Sequence, residues 1–182
     1  MSPSIRLATV WLGGCSGCHM SFLDLDEWLF DLAARVTVVY SPLADVKVYP
    51  EAVDLVLVEG AIANEDHLEL IKRVRANSRT LISLGDCAVT GNVTAMRNQL
   101  GDTQPLLHQI YVEGADIRGT MPYEPGIVPV LVPQVVPVHA VVEVDGFLPG
   151  CPPPAKRIRT MIEQLLEMGE TRLVGREMLK FG

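Results

Sequence analysis

Short apolar runs that end in turn residues recur along this chain. Four of them cover residues 5–12, 36–40, 53–58 and 79–84, and each has the length of a strand. Nearly continuous apolar runs of this length are typical of strands that are covered on both faces in a parallel sheet. We therefore predict four strands here, and a fifth over residues 140–144.

Between the strands, apolar positions recur every three or four residues, which is the spacing of an amphipathic helix. Asn64 is placed to cap one of these helices at its N-terminus. Strands that alternate with helices are typical of βαβ units. The pattern therefore predicts an α/β fold with a doubly wound parallel sheet. The predicted helices cover about residues 16–34, 65–75, 88–100 and 155–168.

Residues 101–139 break this regularity. Prolines favour loops and extended segments over helix, and here they stand at positions 105, 122, 125, 129, 133 and 137. The valines, leucine and isoleucine between positions 127 and 136 are too apolar for solvated coil. We expect a Pro-rich irregular region before the last cysteine, and we favour contact with a partner as its role.

Composition narrows the class of protein. The chain has 182 residues, of which 48% are hydrophobic and 20% charged, so we expect a single domain over residues 1–182 whose core needs no covalent staple. No apolar run approaches the roughly 20 residues that a membrane span requires. The formal net charge of -7 and the lack of a basic cluster argue against nucleic acid as a partner.

The N-terminus enters the first predicted strand at once. Met1 to Arg6 contain neither an apolar signal region nor a twin-arginine motif. We therefore expect a cytoplasmic protein. Thiols in the cytoplasm are normally kept reduced, which favours metal binding over disulfides for the four cysteines.

Two cysteines stand where the first strand should turn into a helix. Cys15 and Cys18 are separated by two residues, a spacing that lets both sulfurs face one metal, and Gly13, Gly14 and Gly17 let the backbone bend around them. Alone, this motif is compatible with a zinc knuckle, a thioredoxin-like redox pair, an iron-sulfur ligand pair or a disulfide.

The other two cysteines extend the pattern. Cys87 and Cys151, like the first pair, follow the carboxyl end of a predicted strand. Ligands of an open parallel sheet bind at that edge, whereas cysteines that serve only as core residues are expected inside the apolar runs. Glycines flank the thiols at Gly14, Gly17, Gly85 and Gly150, where backbone N-H groups can approach a bound group. We predict one site with four thiolate ligands.

Four thiolates can hold either zinc or a single iron-sulfur cubane. Structural zinc commonly uses two Cys-x-x-Cys knuckles in a small fold, while this chain has one such pair and a core that needs no metal. Cysteine followed by proline, as at Cys151-Pro152, occurs in cluster proteins. Redox chemistry is the better interpretation, with a zinc-stabilised binding module as the alternative. His19 and the histidines at 67, 108 and 139 show no paired spacing for a metal or catalytic site, and we assign them no role.

Together, several motifs carry a resemblance to a known family. They are Cys15-x-x-Cys18 after a Gly-rich turn, Glu59-Gly60-Ala61 after a strand, Gly85-x-Cys87 with Gly91 beyond, and Gly150-Cys151-Pro152-Pro153. This set, over about residues 5–155, resembles the small subunit of nickel-iron hydrogenases. The resemblance is strongest to the cytoplasmic NAD-reducing type, also called bidirectional or soluble.

The resemblance implies a flavodoxin-like domain in which Cys15, Cys18, Cys87 and Cys151 ligate one proximal 4Fe-4S cluster. Glu59 resembles the family's acidic residue near that cluster, and a solvated loop carboxylate is its alternative. Gly14, Gly85 and Gly150 would then lie close to the cluster. The implied role is electron transfer in an oxidoreductase that couples H2 oxidation to NAD+ reduction, with hydrogen activation in a partner and no catalytic residue in this chain.

The implied partners are the large subunit with its nickel-iron centre and the diaphorase subunits, which carry FMN, the NAD site and further iron-sulfur clusters. Periplasmic relatives have a twin-arginine leader and a C-terminal region for two more clusters, and this chain shows neither. Two alternatives stay open. One is the cluster-binding subunit of a complex I-like quinone oxidoreductase, which uses adjacent cysteines. The other is an FMN-binding flavodoxin-like protein, although no Ser/Thr-rich phosphate loop follows the first strand.

Overall fold

The computed structural model describes residues 4–168 and 180–181. Two predictions fall partly outside this range. The predicted start without a leader includes residues 1–3, and the predicted single domain includes residues 1–3, 169–179 and 182. The strands are β1 (Ile5–Trp11), β2 (Val36–Tyr40), β3 (Val53–Glu59), β4 (Ile62–Asn64), β5 (Ser78–Leu84), β6 (Leu131–Val136) and β7 (Gly146–Leu148). The helices are α1 (Gly17–Leu23), α2 (Trp28–Ala33), α3 (Glu65–Ala76), α4 (Asp86–Thr90), α5 (Thr103–His108) and α6 (Ala155–Met168).

Five strands form the central sheet in the order β2-β1-β3-β5-β7, and all their pairings are parallel. Counted along the chain, this is the order 2-1-3-4-5 of flavodoxin-like folds, so the predicted fold class is confirmed. Trp11 pairs with Glu59, Glu59 with Leu84, and Leu84 with Leu148. The carboxyl ends of four strands are therefore level, and the loops that follow them meet at one edge.

The sheet is buried on both faces, as its apolar runs predict. Along β3, Leu55 and Leu57 belong to one core, while Val56 and Val58 belong to the other. The first core includes residues of α1, α2 and α6, and the second includes residues of α3 and α4. Successive side chains of a strand point to opposite faces, which is why strands this apolar need helices on both sides.

The predicted helix over 16–34 is wrong in one respect, because it is divided into α1 and α2. Asp26 adopts a left-handed conformation with φ 50° between the two helices. Asp tolerates this conformation better than most residues. Leu25 and Trp28, which lie on either side of the break, both belong to the first core.

Two other predicted elements also need correction. The predicted helix over 88–100 begins earlier, at Asp86, and stops at Gly91, whose φ is 88°. A 3₁₀ helix, Asn92–Leu100, follows it. The predicted strand over 140–144 is wrong, since the fifth strand of the sheet is Gly146–Leu148. The valines at 141, 142 and 144, which made residues 140–144 look like a strand, pack against the second core from outside the sheet.

The Pro-rich region is more regular than its composition indicates. It contains α5, a π-helical turn at Gln109–Glu113 and strand β6, which pairs antiparallel with β4 in a small second sheet. Several of its large apolar side chains, including Ile117 and Ile127, are exposed.

Across the described part of the chain, no helix combines the length and the hydropathy that a bilayer crossing requires. The helix capped by Asn64 is confirmed, since the Asn64 side chain accepts a hydrogen bond from the His67 backbone N-H.

Candidate metal centre

All four cysteines lie at the level edge of the sheet. Cys15 lies in the loop after β1, Cys18 in α1, Cys87 in α4 after β5, and Cys151 in the loop after β7. All four thiols are free. Cys18 and Cys87 are 7% and 8% exposed, whereas Cys15 and Cys151 are open to solvent. The fold thus brings together the four side chains that the sequence predicts to act together.

The thiols affect one another electrostatically. Burial raises the pKa of Cys18 far above its ordinary value, and the charges of Glu59 and of the other three cysteines raise it further. Burial also raises the pKa of Cys87, with smaller contributions from Cys15 and Cys151. Four thiolates are therefore unfavourable together unless a cationic group compensates their charge, and a bound metal group does this.

The sulfurs surround the edge without converging on one point. Among residues 4–168 and 180–181, no three His, Cys, Asp or Glu side chains come close enough to hold one metal ion. A single Zn²⁺ needs each sulfur about 2.3 Å from its centre. A 4Fe-4S cluster is larger and takes one thiolate at each of four irons. The donors present are four free thiols at one edge of the sheet.

Glycines keep the backbone close to these sulfurs. Gly85 has φ 83°, and a Cβ at this position would lie 2.2 Å from Cys18 Sγ. A Cβ at Gly17 would lie 3.2 Å from Cys15 Sγ, and one at Gly14 would lie 3.3 Å from Gly60 Cα. At Gly150, a Cβ would meet the backbone of Pro153. This glycine cradle and the four-thiol donor set both fit an iron-sulfur cluster.

Glu59 is a buried residue beside the first cysteine pair, with only 2% of its surface exposed. Its two carboxylate oxygens accept hydrogen bonds from the backbone N-H groups of Cys18, at 3.3 Å, and of His19, at 2.8 Å. The alternative of a solvated loop carboxylate is therefore wrong. Glu59 ends β3 in register with Trp11, so it fixes the start of α1 against the sheet.

Two further contacts tie the cysteine loops together. Asp86 Oδ1 accepts from the Gly150 N-H at 2.6 Å, and the Asp86 N-H donates to the Gly150 carbonyl at 2.9 Å. These two residues directly precede Cys87 and Cys151. Ser21 Oγ donates to the Pro153 carbonyl at 2.6 Å and so joins α1 to the last cysteine loop. Neither contact was predicted from the sequence, although Asp86 stands next to a cysteine there.

The histidines are not metal ligands by position. His19 is buried, and its Nδ1 lies 2.5 Å from Glu59 Oε2, although the sequence indicated no partner for it. His67 Nδ1 accepts from the Ala63 N-H, and burial lowers the pKa of His67. His108 pairs with Glu113, and His139 contacts the ring of Phe147 edge to face. These four residues therefore have local partners in separate parts of the fold.

Comparison with known proteins supports a relationship over most of the chain. The profile of the family described as NADH ubiquinone oxidoreductase, 20 Kd subunit, matches residues 15–165. The delta subunit of the NAD-reducing hydrogenase HoxS of Cupriavidus necator is 40% identical over 166 residues, which cover 89% of this chain and 78% of that subunit. A subunit of the F420-non-reducing hydrogenase vhu of Methanococcus voltae is 40% identical over 169 residues, covering 92% of this chain and 58% of that protein.

Solved structures agree with this relationship. A chain of the NAD+-reducing NiFe-hydrogenase in the H2-reduced state superposes with a TM-score of 0.92 at 38% identity, covering 99% of this chain and all of that one. A chain of the NiFeSe-hydrogenase of Dm. baculatum superposes with a TM-score of 0.58 at 16% identity. The second likeness shows a shared fold alone.

Proposed function

The chain belongs to the family of the NADH ubiquinone oxidoreductase 20 Kd subunit, within which its hydrogenase relatives lie, and from this premise we propose that it is the electron-transfer small subunit of a nickel-iron hydrogenase. In this proposal the complex couples H2 oxidation to NAD+ reduction. The observation that carries the proposal is the meeting of four free thiols at the level carboxyl edge of the sheet.

Cys15, Cys18, Cys87 and Cys151 would hold one 4Fe-4S cluster. When bound, the cluster supplies one-electron transfer between the nickel-iron large subunit and a diaphorase module. The buried pair, Cys18 and Cys87, keeps water from one side of the site. The exposed pair leaves the other side open, where a partner subunit can approach.

The remaining residues of the site position the thiols. Glu59 fixes the Cys18 turn through two backbone N-H groups, and Asp86 fixes the Cys151 loop through Gly150. Rigid ligand loops lower the reorganisation that accompanies electron transfer and orient each thiolate before the cofactor binds. Neither Glu59 nor Asp86 reacts with hydrogen, so the proposal assigns no catalytic residue to this chain.

The proposal includes partners. The large subunit would hold the nickel-iron centre, and the diaphorase subunits would hold FMN, further iron-sulfur clusters and the NAD site. We place the complex in the cytoplasm, where thiols stay reduced and remain available as ligands. The exposed apolar residues of the Pro-rich region, such as Ile117 and Ile127, would contact a subunit of this complex.

The first experiment measures iron, acid-labile sulfide and zinc in the full chain purified without oxygen, followed by EPR after reduction with dithionite. The proposal expects about four iron and four sulfide per chain and a reduced-cluster signal. Zinc without sulfide would overturn it in favour of a zinc-stabilised binding module. Flavin absorbance without iron would favour the FMN-binding alternative.

A Cys87→Ser variant tests the role of the thiols in the complex. Hydrogen-dependent NAD reduction should be lost together with the cluster signal, while diaphorase activity measured with NADH and a dye should persist. Thr90→Ser is a matched control, because it is an equally small change on the exposed side of α4 and keeps a hydroxyl for the Asp86 carbonyl. Hydrogen-linked activity that survives Cys87→Ser would contradict the assignment.

One competing function has support of its own, since the matching family profile is described as a subunit of NADH ubiquinone oxidoreductase. In that case the purified complex would reduce a quinone from NADH and show no hydrogen-dependent activity. The separated cysteines at 15 and 18 favour the hydrogenase, because the complex I subunit uses adjacent cysteines instead. Measuring hydrogen-dependent and quinone-dependent turnover on one preparation separates the two.

A further inference from the structure

The 3₁₀ helix Asn92–Leu100 starts directly beside the cysteine edge. Gly91 ends α4, and the chain then turns back so that Asn92 lies next to the last cysteine loop. Asn92 Nδ2 donates to Cys151 Sγ at 3.4 Å. Asn92 has φ 37°, a conformation that Asn tolerates better than most residues, and this conformation aims its short amide side chain at the sulfur.

Thr94, two residues further on, ties the same segment to the first cysteine loop. Its hydroxyl donates its one hydrogen to the Gly13 carbonyl at 2.9 Å. The segment is therefore fixed beside the loop that carries Cys15.

The far end of the same segment is anchored to the small second sheet. Arg97 donates to the carbonyls of Ala63 and Val132 at 3.0 and 2.7 Å. Asn98 accepts from the Val135 N-H and donates to its carbonyl, both at 2.8 Å. Because these contacts fix the segment from the side away from the cysteines, Asn92 and Thr94 are held in place before any group binds at the edge.

We propose that Asn92 is a positioning residue that sets the reduction potential of the bound cluster through its hydrogen bond to Cys151. This inference rests on the proposed function, since it concerns the cluster that the four thiols would hold. It adds a role that neither the motif pattern nor the family relationship assigns, because Asn92 lies outside the Cys and Gly motifs.

The sign of the effect follows from charge. Reduction adds one electron, supplied by dithionite in the test below, and part of the added negative charge falls on the ligand sulfurs. Donors aimed at those sulfurs stabilise the more negative state and raise the potential, while removing a donor or adding a carboxylate lowers it.

The test is a redox titration of the full chain followed by EPR, in which the midpoint potential is the quantity measured. Asn92→Asp keeps the shape and tolerates the same φ but replaces the N-H donor with a carboxylate oxygen. Its midpoint potential should be more negative than that of the parent chain. Asn92→Gly removes the donor without adding charge and tolerates the positive φ, so it should shift the potential in the same direction by less.

Gln99→Glu is the matched control, because it makes the same amide-to-carboxylate change on the same segment at an exposed position that does not contact a cysteine. Its shift should be much smaller than that of Asn92→Asp.

Iron and sulfide content is measured on every variant. If Asn92→Asp loses the cluster, Asn92→Gly decides the outcome. Intact clusters with potentials equal to that of Gln99→Glu in both Asn92 variants would overturn the inference and leave the proposed function standing. A parent chain with no iron and no sulfide would overturn the proposed function, and the inference with it.

Discussion

Glu59 and His19 are joined by two contacts in the buried interior of the site, since Oε2 of Glu59 accepts from the His19 backbone N-H at 2.8 Å and lies 2.5 Å from the ring Nδ1. The same carboxylate oxygen therefore meets both the backbone nitrogen and a ring nitrogen of His19. The other ring nitrogen of His19 is buried and has no partner among the described residues. The Glu59 carboxylate therefore satisfies the backbone N-H groups of Cys18 and His19 in the Cys18 turn.

Glu59→Gln should destabilise the metal-free chain. Both carboxylate oxygens accept from backbone N-H groups, whereas Gln has one oxygen and an NH2 group that would face a donor. We expect the free energy of unfolding in urea to fall by about 1–3 kcal/mol. Glu69→Gln makes the same change at an exposed position of α3 and should stay within about 0.5 kcal/mol of the parent. Equal values for the two variants would contradict the role given to Glu59.

Asp86→Ala should loosen the connection between the Cys87 and Cys151 loops. It removes the 2.6 Å hydrogen bond from the Gly150 N-H to a charged acceptor. Because the site is only half-buried, we expect a loss of about 1–2 kcal/mol in the free energy of unfolding, measured in urea.

Asp66→Ala is the control for Asp86→Ala. Asp66 is also an acidic residue in the first turn of a helix, so both variants lose the same favourable interaction with the helix dipole, about 0.3–1 kcal/mol. The difference between the two variants then reports the contact with Gly150. If both lose the same stability, the Asp86 contact does not hold the loops together.

Tyr49 gives the chain a stability that depends on pH. Burial raises the pKa of Tyr49 to about 12, and its hydroxyl lies 2.6 Å from Ser78 Oγ. The unfolded chain releases this proton near pH 10 while the folded chain retains it, so the contribution is present below pH 10 and is lost as pH rises toward 12. The slope is about 1.4 kcal/mol per pH unit in that window.

Tyr49→Phe should flatten this alkaline loss when the free energy of unfolding is measured from pH 9 to pH 11.5. Tyr123→Phe, at a side chain that is 76% exposed, should keep the slope of the parent. Parallel curves for the parent and Tyr49→Phe would show that the buried phenol does not titrate as described.

Much of the fold was predictable because the signals are local. Apolar runs of strand length identify four of the five central strands, and the positions of Cys15, Cys18 and Cys87 after such runs follow directly. The strand before Cys151 was predicted over 140–144 and lies at Gly146–Leu148 instead. The break at Asp26 was not predictable because neither Gly nor Pro marks it, and the pairing of Ile62 with Val136 was not because it joins distant residues. β4 has three residues and β6 contains a proline, so neither carries a clear strand pattern.

The candidate site was also predictable only in part. The four thiols and their glycines could be identified from spacing, and their role as cluster ligands stays a prediction. Among the residues that position them, Glu59 was singled out by the resemblance, within the motif Glu59-Gly60-Ala61, but its contact with His19 across 40 residues was not predictable. Asp86, which reaches Gly150 across 64 residues, was not identified from the sequence. Only the fold shows which N-H group each carboxylate meets.

Gly85→Ala should abolish cluster binding by direct contact with a ligand. The new Cβ would lie 2.2 Å from Cys18 Sγ, and φ is 83° at this position. Cys18 is buried, so its sulfur can avoid the new methyl group only by rotating away from its position or by displacing the start of α1, and either change moves a ligand. Iron and sulfide content of the anaerobic protein should fall well below that of the parent.

Gly101→Ala separates this contact from backbone strain, because Gly101 has φ 81° and open space around its Cβ position. It should lose about 1 kcal/mol of stability and keep its cluster. A Gly85→Ala variant with full iron content would show that Cys18 Sγ does not lie against this glycine when the cluster is bound.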